Sequence, residues 1–444
     1  MRICLIQPGF SKRDLDYQEG SALKSAKSLF NRFSRIKLGG GRKLPPMSLM
    51  QLAALTPQNH ELFIVDEEVQ VIDFDMKVDL AGITMLTRNA HRGYEIADRF
   101  KERGIKVVLG GMHATAIPEE AIRHADAVVI GEAEKVWIQV LQDSKEGRLR
   151  RFYRGKNLCQ MRNMPLPCQD LLNKQKYLST NLVQTSRGCP NRCSFCSIHL
   201  ISGREYRFRP VSEVISEIET FPYPLALFVD DNIVGNKEHA RELFKALIPL
   251  KISWTAQATL SIASDDDLLR LASRSGCLYL LIGFESLSDK NIMAIGKVRT
   301  NKVSEYAERV KKIHDHGIGV AGTFILGLDD DDSGAFDRTA DFIEKNRIET
   351  PTVGVLTPYP GSPLFNKLEW EGRLLHKDWQ QYSHTIGKVV FRPRLMTAEQ
   401  LEEGHRLVGR RLFSMQSMIK RLSGFRGHVL YNIAWNLGKR QEFF

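Results

Sequence analysis

Three cysteines stand close together in Ser186-Arg-Gly-Cys189-Pro-Asn-Arg-Cys193-Ser-Phe-Cys196. Three thiolates at this spacing can wrap one iron–sulfur cube from a single loop. Such a cube ordinarily takes four cysteine ligands, so three leave one iron open to another donor. Gly188 and Pro190 suit a tight turn around an inorganic cluster, and Arg187 and Arg192 offset the negative charge of thiolates and sulfides. The competing chemistry is an incomplete zinc knuckle. No fourth Cys or His stands at finger spacing, although His199 is near, and the loop directly follows an apolar strand, Leu182–Thr185. Both features favour the cube.

The other cysteines add no disulfide framework. The total is 7, an odd number with three in one loop, which points to metal in a reducing compartment. Cys4 and Cys277 lie in apolar surroundings and read as packed thiols. Cys159 and Cys168 fall in a linker and receive no role.

The elements that must position this loop come in two alternating series. Ile3–Gln7, Leu62–Val65, Leu80–Met85, Val107–Leu109 and Ala127–Ile130 are short apolar runs, separated by helical stretches such as Ser48–Leu55 and Tyr94–Arg103. Five strands alternating with helices predict a doubly wound, flavodoxin-like parallel sheet, with any ligand beyond the carboxyl ends of its strands. The basic insertion Ser11–Lys43, ending in Gly39-Gly-Gly41, interrupts this series as a long lid or disordered segment. Residues 145–175, with Met164-Pro-Leu-Pro167, read as a linker.

The second series has strands Leu182–Thr185, Ala226–Val229, Ser253–Ala258, Tyr279–Phe284, Ala321–Leu326 and Val353–Thr357, with helices such as Val303–His314 between them. Six strands with intervening helices predict a partial (βα)6 TIM-type barrel, whose chemistry sits at the C-terminal strand ends. The predicted organisation is 1–144 first domain, 145–175 linker, 176–395 barrel and 396–444 helical C-terminal region. From Gly404 to Gln441 there is no Asp or Glu, while Arg and Lys recur beside the apolar Leu412, Phe413, Met415, Met418, Ile419 and Leu422. Such a segment either lies on an anionic membrane surface or packs on the barrel with a solvated basic face.

Composition narrows the class. The chain has 444 residues, 43% of them hydrophobic, and a net charge of +11. No apolar run reaches the length of a bilayer span, and Met1–Pro8 reads as a first buried strand rather than a signal peptide. The expected location is therefore cytoplasmic, with membrane association left to the C-terminal segment. No basic and aromatic residues are organised on a recognised nucleic-acid module, so nucleic acid is not an expected partner.

With Cys189, Cys193, Phe195 and Cys196 in place, the chain resembles the radical S-adenosylmethionine (SAM) superfamily over roughly residues 1–400. The resemblance implies a 4Fe–4S cluster on the three cysteines, and SAM chelated to the open iron and cleaved by one electron into a hydrogen-abstracting radical. It also implies a donor such as flavodoxin or ferredoxin. It assigns SAM contacts to Phe195, Asp231 in Asp230-Asp-Asn232, Gln257, Glu285 in Gly283-Phe-Glu-Ser286, and Arg299 in Lys297-Val-Arg-Thr300. The usual Gly-Gly-Glu after the second barrel strand is replaced by Asp230-Asp-Asn232.

The first domain resembles the cobalamin-binding domain of one branch of that superfamily. The matching residues are Thr84 and Met85, Gly110-Gly111-Met-His113-Ala-Thr115, and Gly131-Glu132. None of the 12 histidines stands in the Asp-x-His-x-x-Gly pattern of a cobalt ligand. Leu44-Pro-Pro46, Gly110-Gly-x-His113, Val229-Asp-Asp-Asn232, Gly283-Phe-Glu-Ser286 and Gly361 are similar to the group around hopanoid C-methylases; an anaerobic porphyrin-ring cyclase shares the same cofactors. The leading expectation is cobalamin-dependent methylation of an unactivated carbon of a small or lipid-like molecule. The alternative is cyclisation or oxidation without methyl transfer. A methylthiotransferase fits poorly, because that family carries a second cluster in a first domain that here holds only Cys4.

Overall fold

The computed structural model describes residues 1–10, 43–424 and 428–444. The insertion Ser11–Lys43, apart from Lys43, and Arg426 of the basic C-terminal run lie outside the described residues.

The first sheet has the order β2-β1-β3-β4-β5-β6, all parallel. Its strands are β1 (Arg2–Gln7), β2 (Glu61–Asp66), β3 (Leu80–Thr84), β4 (Lys106–Gly110), β5 (Ala127–Ile130) and β6 (Phe152–Arg154). Continuous apolar runs form here because helices cover both faces, and all four residues of β5 are buried. The order reverses between β1 and β3, and a doubly wound sheet opens a crevice at such a switch point. This is the flavodoxin-like sheet expected of the sequence, with one strand more. β6 lies in the stretch read as linker. Its three residues are too few to show a period, and pairing with β5 defines it. The rest of that stretch is also docked: Cys168 N donates to Met50 O at 3.1 Å, and Gln51 Nε2 to Pro165 O at 2.9 Å.

The second sheet is β7-β10-β11-β12-β13-β14, parallel, its strands side by side in chain order. It comprises β7 (Leu182–Val183), β10 (Leu225–Phe228), β11 (Ser253–Ala258), β12 (Cys277–Glu285), β13 (Gly319–Leu326) and β14 (Thr352–Val355). This is the predicted six-stranded partial barrel. Alternate residues divide between two environments. Trp254, Ala256 and Ala258 pack into the core shared with the outer helices, while Gln257 and Leu281, paired in register, stay exposed on the inner face. The short antiparallel ladder of β8 (Ser186–Arg187) with β9 (Arg207–Phe208) flanks the cysteine loop and sets Arg187 opposite Arg207.

The basic C-terminus folds back as helices Ala398–Leu412, Met415–Leu422 and Val429–Phe443. The first begins in a capping box, Thr397 with Gln400. The acid-free run is matched by acids elsewhere: Arg411 pairs with Asp337, Asp341 and Glu344, and Lys420 with Glu344, all on helix Ala335–Lys345. Arg421 is fully buried and donates to the carbonyls of Ile348, Glu349 and Leu412 and to Asn436 Oδ1 at 2.7–3.1 Å. Among the described residues, no helix is long and apolar enough to cross a membrane.

Candidate functional site: a cysteine loop facing a glycine-floored cavity

Gly188, just before the first cysteine, has φ of 85°, and a Cβ there would stand 2.4 Å from the Glu205 carbonyl oxygen. Only glycine fits this turn. Two later segments pin the loop: Ser194 N donates to Ile295 O at 3.0 Å, and Leu364 N donates to Ser194 O at 2.9 Å. Phe195 packs against the barrel core.

Cys189, Cys193 and Cys196 are free, partly buried thiols. Burial raises all three, Cys193 to about 12, and the nearby charges of the other cysteines, Asp231 and Glu285 add to the rise; Lys297 opposes it at Cys189 and Cys193. Thiols in this setting ionise only with a strong positive partner, which iron supplies. Among the described residues no three His, Cys, Asp or Glu side chains close on a single-ion position. The donor set is three thiols distributed along one wrapped loop, which fits a cube with an open corner.

The residues expected to contact SAM divide. Asp231 faces the cysteine loop. Burial pushes its carboxyl up to about 6, with neighbouring Asp230 adding to the rise, while a hydrogen bond from the Gly188 backbone opposes it. Asp230 is a packing residue, fully buried under bonds from Thr185 and Ser186. Gln257 faces the open barrel interior. Glu285 has φ of 65° and bonds the Lys297 ammonium, which also donates to Gly283 O at 2.9 Å. Arg299 is exposed. The buried cation beside the thiols is thus Lys297, which sequence reasoning passed over. Gly296, just before it, has φ of 75°, and a Cβ there would stand 3.1 Å from Arg192 O, so this turn packs against the cysteine loop.

Facing the loop is a cavity of about 280 Å³ between the two sheets. Thr84, Gly110, Gly111 and Gly131 line one side, Gln184, Arg187 and Asp231 the other. An apolar arm runs past Leu49, Leu52, Gly82 and Trp137. Gly111 has φ of 88°, and a Cβ would stand 2.7 Å from the backbone N and O of Met85. Bare backbone at this floor lets a broad, flat ligand approach, and the apolar arm can take an appendage; both features suit cobalamin.

Three of the expected cobalamin contacts are used elsewhere. His113 is fully buried, 3.3 Å from Glu120 Oε1 and edge-on to Trp379. Thr115 Oγ1 accepts from Gly131 N at 3.0 Å. Met85 packs against Gly93, where a Cβ would overlap its sulfur. None of the three lines the cavity. A helix that packs on its sheet must turn some side chains inward, and no period shows which.

Glu132 does line the cavity, but its carboxylate is occupied. It accepts from Arg207 Nη2 at 2.7 Å, Arg207 Nη1 at 2.9 Å, Cys159 N at 2.6 Å and Arg187 Nη1 at 3.3 Å. Arg187 Nη1 also meets Glu134 Oε1 at 2.5 Å. The residue two places before the first cysteine is therefore clamped to the end of β5.

Comparison with known proteins agrees with this architecture. The Radical SAM superfamily model matches residues 183–343 and the B12 binding domain model residues 40–141. The chain is 32% identical over 391 residues to bacteriochlorophyllide d C-12(1)-methyltransferase of Chlorobaculum tepidum, covering 85% of each chain. It is 27% identical to hopanoid C-2 methylase of Rhodopseudomonas palustris, over 76% of this chain and 66% of that one. The structure of the radical SAM methyltransferase TsrM from Kitasatospora setae, with cobalamin and a [4Fe-4S] cluster bound, superposes with a TM-score of 0.64 at 14% identity, over 83% of this chain and 78% of that one.

Proposed function

The chain belongs to the radical SAM superfamily, in the branch whose barrel is preceded by a B12-binding domain, and we propose that the carbon it methylates lies on a magnesium tetrapyrrole or a similarly flat, apolar molecule. It is a cobalamin-dependent radical SAM C-methyltransferase that uses a 4Fe–4S cluster. The substrate class follows from the 32%-identical relative, whose named substrate is a bacteriochlorophyllide. The matched methyltransferases favour methyl transfer over ring formation.

One observation carries the division of labour: the glycine floor of the first sheet and Asp231, which faces the cysteine loop from the end of β10, line the same cavity. When bound, the cluster with SAM supplies hydrogen-atom abstraction, and cobalamin supplies a transferable methyl group. The protein positions these groups and excludes water. In our reading Cys189, Cys193 and Cys196 hold three irons. Lys297 balances their charge, and Glu285 holds Lys297 in place. Asp231 takes the SAM amino group, Gln257 offers a polar contact from the barrel interior, and Phe195 supports the loop. Thr84, Gly110, Gly111 and Gly131 support the corrin. The cobalamin unit runs from residue 1 through β6, and 176–395 form the radical unit. A flavodoxin or ferredoxin delivers the electron, and Met415 and Ile419, exposed on helix Met415–Leu422, offer a peripheral membrane contact.

Anaerobic reconstitution tests this reading. The expected results are a cluster absorption band lost in Cys189→Ala, hydroxocobalamin retained through gel filtration, 5′-deoxyadenosine formed with dithionite, and a product heavier by one methylene. SAM cleavage without cobalamin retention would overturn methyl transfer, and absence of a cluster would overturn the whole assignment.

A further inference from the structure

A second open surface lies where the C-terminal end of β14 approaches the segment after β3. Tyr359 follows β14 in Thr357-Pro-Tyr-Pro-Gly361, and its hydroxyl lies 3.0 Å from His384 Nδ1. The same hydroxyl oxygen accepts from the His384 main-chain N at 3.3 Å. The backbone here rests directly on β14. Val355 N donates to His384 O at 3.0 Å, and a Cβ on Gly354 would stand 2.7 Å from that oxygen. The imidazole is therefore held by its own main chain and by Tyr359 together.

The Tyr359 oxygen is the pivot of this network. Thr357 Oγ1, two residues before Tyr359, donates to Val355 O at 3.1 Å. A phenol oxygen carries two lone pairs, and we assign one to the His384 main-chain N–H and the other to an Nδ1–H. Assigned in this way, the proton sits on Nδ1 and the lone pair on Nε2. Among the described residues Nε2 has no hydrogen-bond partner, and solvent reaches the ring, which is exposed although protein surrounds it. Crowding, with the positive charges of Lys439 and Arg88, lowers the imidazole below its ordinary value against the pull of Glu285. The ring is neutral at neutral pH.

This is the arrangement of a metal ligand whose second nitrogen is oriented by a hydrogen bond. The surroundings suit a flat apolar ligand with an anionic edge. Leu86 and Ile386 are exposed apolar side chains at 52% and 38%, and the Arg88 guanidinium lies over Phe10 at 5.0 Å. Resting on the substrate class given above, we propose that His384 Nε2 is the axial ligand to the chelated metal of a tetrapyrrole substrate, with Tyr359 as its positioning residue.

The test titrates the full-length reconstituted protein with zinc protoporphyrin IX and with metal-free protoporphyrin IX, following the absorption bands. Wild type should bind the zinc form at least tenfold more tightly and shift its main band to the red. His384→Ala should bring the two affinities within about twofold, with metal-free binding unchanged, and free imidazole should restore the shift in His384→Gly. Melting temperature and cobalamin retention report that the variants are folded. Equal affinity of wild type for both porphyrins would overturn the proposal, as would an undiminished zinc preference in His384→Ala. If wild type cleaves SAM but binds neither porphyrin, the substrate class and the axial ligand fall together while the radical assignment stands. If wild type forms no 5′-deoxyadenosine, that assignment fails independently.

Discussion

Lys297 and Arg299 stand two positions apart in one turn, yet only one of them reaches the thiols. Lys297 is buried between Glu285 and the cysteine loop, while Arg299 is exposed. Lys297→Met leaves Glu285 buried without its partner and removes the cation that opposes the rise of the Cys189 and Cys193 thiols. The expected outcome is a several-fold loss of iron bound per chain after reconstitution, because an unpaired buried charge costs on the order of 3–5 kcal/mol. Arg299→Met should hold iron within about twofold of wild type. Iron and sulfide analysis on the two variants checks this; equal losses in both would move the functional cation back to Arg299. The cysteine motif was legible because three thiols in eight residues have few alternative uses. Lys297 was not legible, because lysine is so often a solvated surface residue that its type carries no signal until burial is known.

At the scale of elements, a strap from the barrel's end crosses to the first domain. Phe365, Trp379, Tyr382 and Val390 join the apolar cluster under helix Ala90–Glu102. Glu120 is its polar clasp, accepting from Tyr94 Oη at 2.9 Å and Trp379 Nε1 at 2.9 Å, with His113 Nε2 3.3 Å away. Against the upward push of burial, these bonds hold its carboxyl down to about 2 from 4.5. A lowered carboxylate contributes stability that is present above pH 4.5 and lost as pH falls through about 2. The full shift corresponds to roughly 3 kcal/mol, reduced to about 2 kcal/mol because the side chain is 30% exposed. Glu120→Gln should lower stability by that amount at neutral pH and flatten the acid limb between pH 4.5 and 2. Denaturant melts across that range would show it, and an unchanged limb would count against the clasp. The strap was invisible to periodicity: it has no regular period, and its partners are more than two hundred residues away in the chain.

For the whole molecule, the joint between the two sheets matters most, because a methyl carrier and a radical source are useful only at a fixed separation. The joint is ionic. Arg187 and Arg207, side by side on β8 and β9, meet Glu132 and Glu134 after β5. Arg187→Ala removes a cation whose side chain is only 13% exposed, and should cost about 3 kcal/mol and weaken cobalamin retention. Arg187→Lys should recover only part of this, because it restores the charge but not the planar fork. Calorimetry with gel filtration in the presence of hydroxocobalamin reads both effects. An unchanged melting temperature in Arg187→Ala would show that apolar packing alone holds the joint.

Local chemistry was already readable in the chain: the cysteine spacing, two series of apolar runs at βα spacing, and glycines after β4 and β5. Each depends on near neighbours in the chain, so order and spacing sufficed for every strand except β6, β8 and β9 and for a cluster on the cysteines, while the family resemblance implied S-adenosylmethionine and cobalamin. The assignments that changed depend on contacts across the molecule. His113 and Glu132 look like ligand groups until Glu120 and the paired arginines are seen to occupy them. For the basic C-terminus the sequence left membrane surface and barrel packing both open, and helix Ala335–Lys345 supplies acids to Arg411 and Lys420. β6 acquires strand geometry only from β5, and His384 becomes an open imidazole only where its strap settles on β14. A side chain's partner is set by which surfaces meet on folding, and sequence distance carries almost no information about that.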